Sequence, residues 1–221
     1  MLHGALGAAS QLEPLRELLG AIPIEFPGHG TTPLTEGEFS MTGFARYADR
    51  LLPSAGPIDL FGYSMGGYVA LLLALKYPGS VRRVMTLGTK FEWTPAVAAK
   101  DAARLNPDVM EAKVPAFTDL LKARHTACSW RDNLAHTATL LHDLGAHPLL
   151  GPDELARITQ HVCIAVGDLD VTVTADECAR VAGMMPKATV AILAETSHPF
   201  EQLDHAMLAA RVGAFFAEAD A

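Results

Sequence analysis

Short apolar runs recur along the chain at Ile58–Phe61, Val81–Leu87, Val162–Val166 and Thr189–Leu193. Runs of this length, bounded by glycine, proline or charged residues, predict buried strands rather than helices. Between them the apolar positions fall at helical spacing. Leu12, Leu15, Leu18 and Leu19 follow Ser10, a residue type that caps helix N-termini, and predict a helix through Leu19. Ser40 predicts the cap of a helix ending near Leu52–Pro53, with Phe44, Tyr47, Leu51 and Leu52 turned inward. Further helices are expected up to Tyr77, over Thr174–Met184, and from about Phe200 to Ala217. Ala21–Phe26 reads as a strand entering the turn Pro27–Gly28–His29–Gly30, and Met1–His3 as a strand fragment shorter than the usual five or so residues. Strands alternating with helices imply an α/β fold with a parallel sheet covered on both faces.

The alternation stops between Thr89 and Gly151, where the pattern is one of short helices interrupted at Pro95, Pro107, Pro115 and Pro148. Roughly sixty residues of short helices are too few to bury a core alone, so this segment is expected to lie as a lid on the sheet's C-terminal edge. The division that follows is a core of residues 1–88 and 152–221 and a helical lid insertion of residues 89–151.

Composition narrows the function classes. Of 221 residues, 50% are hydrophobic and 19% charged, which is a globular balance. The formal net charge of −8, with no basic cluster, argues against nucleic-acid and anionic-membrane partners. No apolar run reaches the ~18 residues of a membrane span, and the start lacks a signal-peptide pattern, so a cytoplasmic location is expected. Cys128, Cys163 and Cys178 are odd in number and lack metal-ligand spacing, which argues against a disulfide framework.

The candidate chemistry lies where strands end. Gly62-Tyr63-Ser64-Met65-Gly66-Gly67 joins the Ile58–Phe61 strand to a helix, and Gly-x-Ser-x-Gly in that setting places a serine hydroxyl at the tip of a strained turn. A helix N-terminus there favours developing negative charge. A serine needs a base, itself oriented by a third group. The Val162–Val166 strand runs into Gly167-Asp168-Leu169-Asp170, and the Thr189–Leu193 strand into Thr196-Ser197-His198-Pro199-Phe200-Glu201, so acid and histidine follow the serine at the same sheet edge.

These motifs resemble the α/β-hydrolase-fold serine hydrolases over nearly the whole chain: His3-Gly4, Phe26-Pro27-Gly28-His29-Gly30, the Ser64 elbow, Gly167-x-x-Asp170, and His198-Pro199-Phe200-Glu201. The resemblance implies a mostly parallel sheet of about six strands, lacking the first two antiparallel strands usual in the family, with the Met1–His3 strand internal. It implies Ser64 as nucleophile, His198 as general base and acid, and Asp170 as the orienting carboxylate. Asp168 is expected to be a turn residue bonded to its own backbone. The backbone N–H groups of Met65 and Ala5 would form the oxyanion hole. No cofactor is required.

The expected activity is esterase-like: hydrolysis of a small or medium uncharged carboxylic ester through an acyl-enzyme. The alternatives are a lyase or carbon–carbon hydrolase using the same triad, and a slow-turnover ligand-binding receptor. Trp93, Phe117 and Trp130 are candidates for lining the substrate pocket, with packing of the lid as their competing role. Lys90 could face a substrate carboxylate. His3 and His29 are expected to hold loops. The lid histidines His125, His136, His142 and His147 lack a carboxylate-supported ligand spacing, and no metal is expected.

Overall fold

The computed structural model describes residues 1–219. Strands β1 (Ile58–Tyr63), β2 (Val81–Leu87), β3 (His161–Gly167) and β4 (Ala188–Leu193) form one parallel sheet in that order. Its register sets Gly62 beside Thr86, Met85 beside Cys163, and Gly167 beside Leu193. Alternate residues of the strands serve opposite faces, as the two-residue period requires. Leu60, Val84 and Ile164 pack toward α2 (Met41–Leu51), α3 (Met65–Lys76) and α9 (Ala175–Ala182). Phe61, Met85, Cys163 and Ala165 pack toward α1 (Glu13–Leu19) and α10 (His205–Ala217).

The sheet has four strands among the described residues, not the expected six or so. The two missing strands survive as single bridges: Leu2 pairs in parallel with Ile24 on one side and Gly62 on the other. Leu2 is thus internal, as expected. Neither segment propagates a ladder, because the chain leaves the sheet at His3–Gly4, and the Phe26 N–H, on the same side as the Ile24 N–H that bonds Met1 O, goes to His3 Nε2 instead of a backbone carbonyl.

Local chemistry explains most helix boundaries. Ser40 Oγ accepts the Gly43 N–H at 3.0 Å and caps α2. Thr174 does the same for α9 through the Glu177 N–H. Ser10 is no cap: a 3-10 turn spans Ala9–Leu12, and α1 starts at Glu13 with Pro14 in its first turn. Likewise Phe200–Gln202 is a separate 3-10 turn, and α10 begins after Asp204, whose side chain accepts the Met207 N–H.

Between β2 and β3 lie α4 (Pro95–Ala102), α5 (Pro107–Lys113), α6 (Pro115–Arg124), α7 (Trp130–Ala146) and α8 (Pro152–Ala156). Pro95, Pro107 and Pro115 open helices rather than interrupt them. Proline at the first helical position loses an N–H that has no intrahelical partner anyway. Trp130, Leu134, Leu121 and Met110 pack together with Leu6, which brings this helical segment onto the loop that follows the first bridge. Among the described residues no helix is long and apolar enough to cross a membrane.

Candidate active site

Ser64 is the single residue between β1 and α3, with φ 51° and ψ −117°. A non-glycine residue at such angles costs about 1–3 kcal/mol and persists only where its surroundings enforce it. Here they do. Ser64 N–H donates to Leu87 O at 2.8 Å, and Ser64 O accepts from Thr89 Oγ1 at 2.9 Å and from Gly67 N–H at 3.0 Å. The flanking glycines are required by close approach: a Cβ on Gly62 would lie 2.4 Å from Gly66 O, and one on Gly66 would lie 2.2 Å from Leu2 O. Met65 opens α3, so its N–H has no carbonyl within the helix to bond.

The loop after Leu2 runs beside Ser64. Leu2 N–H donates to Phe61 O and Leu2 O accepts Tyr63 N–H, which fixes the start of the loop against β1. Gly4 packs so tightly that a Cβ there would stand 2.7 Å from the Tyr63 ring and 3.4 Å from Ser64 Cβ. His3 Nε2 accepts Phe26 N–H, so Nδ1 carries the proton and donates to Gly4 O at 2.9 Å. Complete burial pushes the His3 pKa down to about 3, so the ring stays neutral and keeps this tautomer. His29 is also buried and lowered, chiefly by desolvation, and its ring stacks on Phe39 at 5.1 Å. Both histidines hold loops.

Asp170 and His198 meet across the ends of β3 and β4, with Asp170 Oδ2 2.7 Å from His198 Nδ1. Burial raises the Asp170 pKa, but the His198 hydrogen bond and charge, with the Val173 and Thr172 N–H groups, outweigh it and leave the pKa lowered. An ionised carboxylate only accepts. His198 Nδ1–H is therefore the donor, which leaves Nε2 as the ring nitrogen turned away from Asp170. Asp168 points elsewhere: its Oδ1 accepts the Thr196 N–H at 3.1 Å, anchoring the loop that bears His198 rather than its own turn.

Two cavities meet at Ser64. One of about 140 Å3 is lined by Ala5, Ser64, Met65, Met41, Trp93 and Leu140. The other, of about 650 Å3, is lined by Ser64, His198, Ala5, Phe117, Leu105 and Val114 among others. Ser64 and Ala5 thus stand on the walls of both cavities, Met65 on the smaller and His198 on the larger, with Asp170 behind His198. Of the aromatic candidates, Trp93 and Phe117 line these cavities. Trp130 packs inside the helical segment, with Arg131 and Lys122 over its ring, and is not among the residues lining them. Lys90 lies on the smaller cavity's wall already paired with Asp101. No group of three or more metal-ligating side chains suited to an ion occurs among the described residues.

Three further residues shape the site without having stood out in the sequence. Gly88, at φ +60°, leaves the space in which the pair sits: a Cβ there would be 3.1 Å from His198 Nδ1 and 3.2 Å from Asp170 Oδ2. A glycine directly after the buried Val81–Leu87 run was its readable signal. Tyr63 OH donates to His198 O at 2.9 Å, and Thr89 grips Ser64 O. Tyr63 and its partner are 135 positions apart, so no local pattern announces the contact.

Comparison with known proteins bears on the same chemistry. A sequence profile described as "Alpha/beta hydrolase family" matches residues 1–212. The chain is 33% identical over 90 residues to a pimeloyl-[acyl-carrier protein] methyl ester esterase of Aeromonas hydrophila subsp. hydrophila, a stretch covering 38% of this chain and 34% of that protein. The chain thus spans about a third of the length of the curated relative it matches. Among solved structures, NosK from Streptomyces actuosus superposes with a TM-score of 0.80 at 21% identity, covering 97% of this chain and 95% of that one. The enol-lactonase from Burkholderia xenovorans LB400 superposes at 0.76 with 17% identity, covering 98% and 90%. At these identities the structural likeness speaks to the fold alone.

Proposed function

Because this chain belongs to the alpha/beta hydrolase family, we propose that it is a serine hydrolase cleaving a small or medium uncharged carboxylic ester through an acyl-enzyme on Ser64. The observation that carries the reading is the Asp170–His198 contact of 2.7 Å, on a cavity whose wall also holds the strained Ser64.

His198 Nε2 takes the Ser64 proton as Oγ attacks the ester carbonyl. The carbonyl's π electrons move onto oxygen, and the oxyanion lies against the Met65 and Ala5 N–H groups. Each such donor is worth about 2.7–4 kcal/mol in the transition state. Collapse expels the alcohol, which takes the proton from His198. Water then repeats the sequence on the acyl-enzyme, with His198 again the base, and releases the acid. Asp170, held ionised, stabilises the imidazolium in both halves.

The two cavities assign sizes to the substrate's ends. The limb of about 140 Å3 takes the smaller end, and the limb of about 650 Å3 takes the remainder. The smaller limb is lined largely by apolar side chains and its Lys90–Asp101 pair presents no net charge, which supports an uncharged ester. The larger limb sets Leu105, Val114 and Phe117 among polar and charged groups such as Arg104, Arg124 and Glu201. Residues 89–151 act as the lid over the core of residues 1–88 and 152–221, with Trp93 and Phe117 as its contributions to the pocket.

The test is steady-state hydrolysis of p-nitrophenyl esters from acetate to laurate by the wild type and Ser64→Ala. Saturable turnover abolished by Ser64→Ala, with an acyl adduct on Ser64 seen by mass spectrometry, supports the reading. A well-folded wild type without turnover, or turnover without an adduct on rapid quenching, would transfer it to the lyase or receptor alternatives.

A further inference from the structure

The loop bearing Ala5 is held from both sides, and one of the holds comes from the helical segment between β2 and β3. On the near side Gly4 N–H donates to Gln11 Oε1, and Gly4 O accepts from His3 Nδ1–H and Gly7 N–H. Because the Ala5 N–H points opposite to Gly4 O in the same peptide plane, these bonds orient it. On the far side Leu6 has φ 58°, a left-handed backbone for a branched residue. Its carbonyl accepts from Arg124 Nη1 and His125 Nε2, each at 3.1 Å, both from the C-terminal end of α6.

Arg124 does more than grip Leu6. Its Nη2 donates at 2.7 Å to Glu201 Oε1, three residues beyond His198, and the same oxygen accepts from Gln11 Nε2. Gln11 in turn holds Gly4. The guanidinium thus closes a ring of contacts through the loop before Ala5, the loop after it, and the loop carrying His198. Its side chain is only 5% exposed, so the fork is fixed by its surroundings.

We propose that Arg124 is a positioning residue of the hydrolytic site: by holding Leu6 O and Glu201 together it sets the Ala5 N–H and the His198 loop, so that docking of the helical lid completes the oxyanion hole. The proposal rests on the serine-hydrolase reading above. It differs from a substrate-contact role, which the position of Arg124 on the larger cavity's wall would also permit. A planar fork bonding two acceptors is a task lysine performs only in part.

The experiment compares wild type, Arg124→Met, Arg124→Lys and Glu201→Gln on the best p-nitrophenyl ester, with active Ser64 titrated by a phosphonate so that rates refer to folded sites. Expected for Arg124→Met is a fall in kcat of about 10–100-fold with KM within about threefold, since misplacing a reacting group by ~1 Å costs up to about 10²-fold. Binding of a trifluoromethyl ketone, which presents a tetrahedral oxyanion, should weaken by the same factor. Arg124→Lys should recover part of both losses, and Glu201→Gln should fall between wild type and Arg124→Met.

A rise in KM at unchanged kcat would overturn the proposal in favour of substrate contact. Equal loss of stability in Arg124→Met and Arg124→Lys, with kcat per titrated site unchanged, would reduce Arg124 to a structural ion pair. A wild type that hydrolyses no ester sinks the functional reading instead. In that case hydrogen exchange decides the positioning itself: amides of residues 4–8 must exchange faster in Arg124→Met while those of β2 and β3 do not, and unchanged exchange there overturns it.

Discussion

Replacing Gly88 by alanine tests whether the Asp170–His198 pair needs the room that this glycine leaves. Gly88 is left-handed at φ +60°, so any side chain adds backbone strain of roughly 1–2 kcal/mol. The new Cβ would also press on both members of the pair, at 3.1 Å from His198 Nδ1 and 3.2 Å from Asp170 Oδ2. Relief requires a shift of a few tenths of an ångström in the imidazole or the carboxylate. Gly20 separates the two effects. It is left-handed to a similar degree, φ +63°, yet nothing lies within 4 Å of its would-be Cβ. Gly20→Ala should therefore carry the strain alone. For a domain of this size 1 kcal/mol moves Tm by about 2–4 °C, so both variants should lose roughly 2–8 °C. Only Gly88→Ala should also lose kcat, by about tenfold at nearly unchanged KM, less than the ~10²-fold of a full ångström displacement. The assays are thermal denaturation and ester hydrolysis per titrated Ser64. A Gly88→Ala enzyme with the same kcat as Gly20→Ala would refute the reasoning.

Asp170→Asn should lower kcat by a factor on the order of 10⁴ with the fold retained, since an amide no longer enforces the tautomer of His198; wild-type turnover would exclude Asp170 as the orienting acid. Stability should decline as the pH falls below about 6.5, because the unfolded chain then protonates His3 while the folded one, with its pKa lowered to about 3, does not. The slope is up to about 1.4 kcal/mol per pH unit for each buried imidazole, and urea unfolding between neutral and mildly acidic pH should be shallower for His3→Asn than for wild type. Equal slopes would remove His3 as the cause. Trp93→Ala should lengthen the preferred acyl or alkyl chain in the smaller limb, by about fourfold in kcat/KM for each further methylene that becomes buried, and an unchanged chain-length profile would place that limb outside the substrate's path.

The parts of this protein legible in its sequence are those governed by neighbours along the chain. The β1–Ser64–α3 turn was readable because the required glycines, Gly62 and Gly66, stand within two positions of the serine, and because a buried strand and a helix have different apolar periods. The strands Val81–Leu87 and Thr189–Leu193 and the cap Ser40 were readable for the same reason. The N-terminal strands were over-read: apolar content at Ala21–Phe26 suggests a strand, but backbone partners decide one, and the Phe26 N–H finds the His3 ring instead of a carbonyl. The prolines of the helical segment were read as interruptions when most of them are helix starts, a distinction set by where the missing N–H falls.

Other features depended on which distant residues share a space, and only the tertiary structure decided them. Periodicity placed Asp168 and Asp170 at the same sheet edge, and their different partners, the Thr196 amide and the His198 ring, follow from how the β3 and β4 loops cross. Trp93, Phe117 and Trp130 are alike as sequence, yet two line the cavities at Ser64 and one fills the helical segment's own core. The Tyr63 hold on His198, the room beside Gly88 and the Arg124 ring join segments more than a hundred positions apart or a cavity between them. Local propensity acts over a few residues, whereas side-chain contacts of this kind exist only once the sheet has set the spacing of its loops; the sequence alone therefore determined most of the elements and the order of the candidate site residues, and the packed fold determined their geometry.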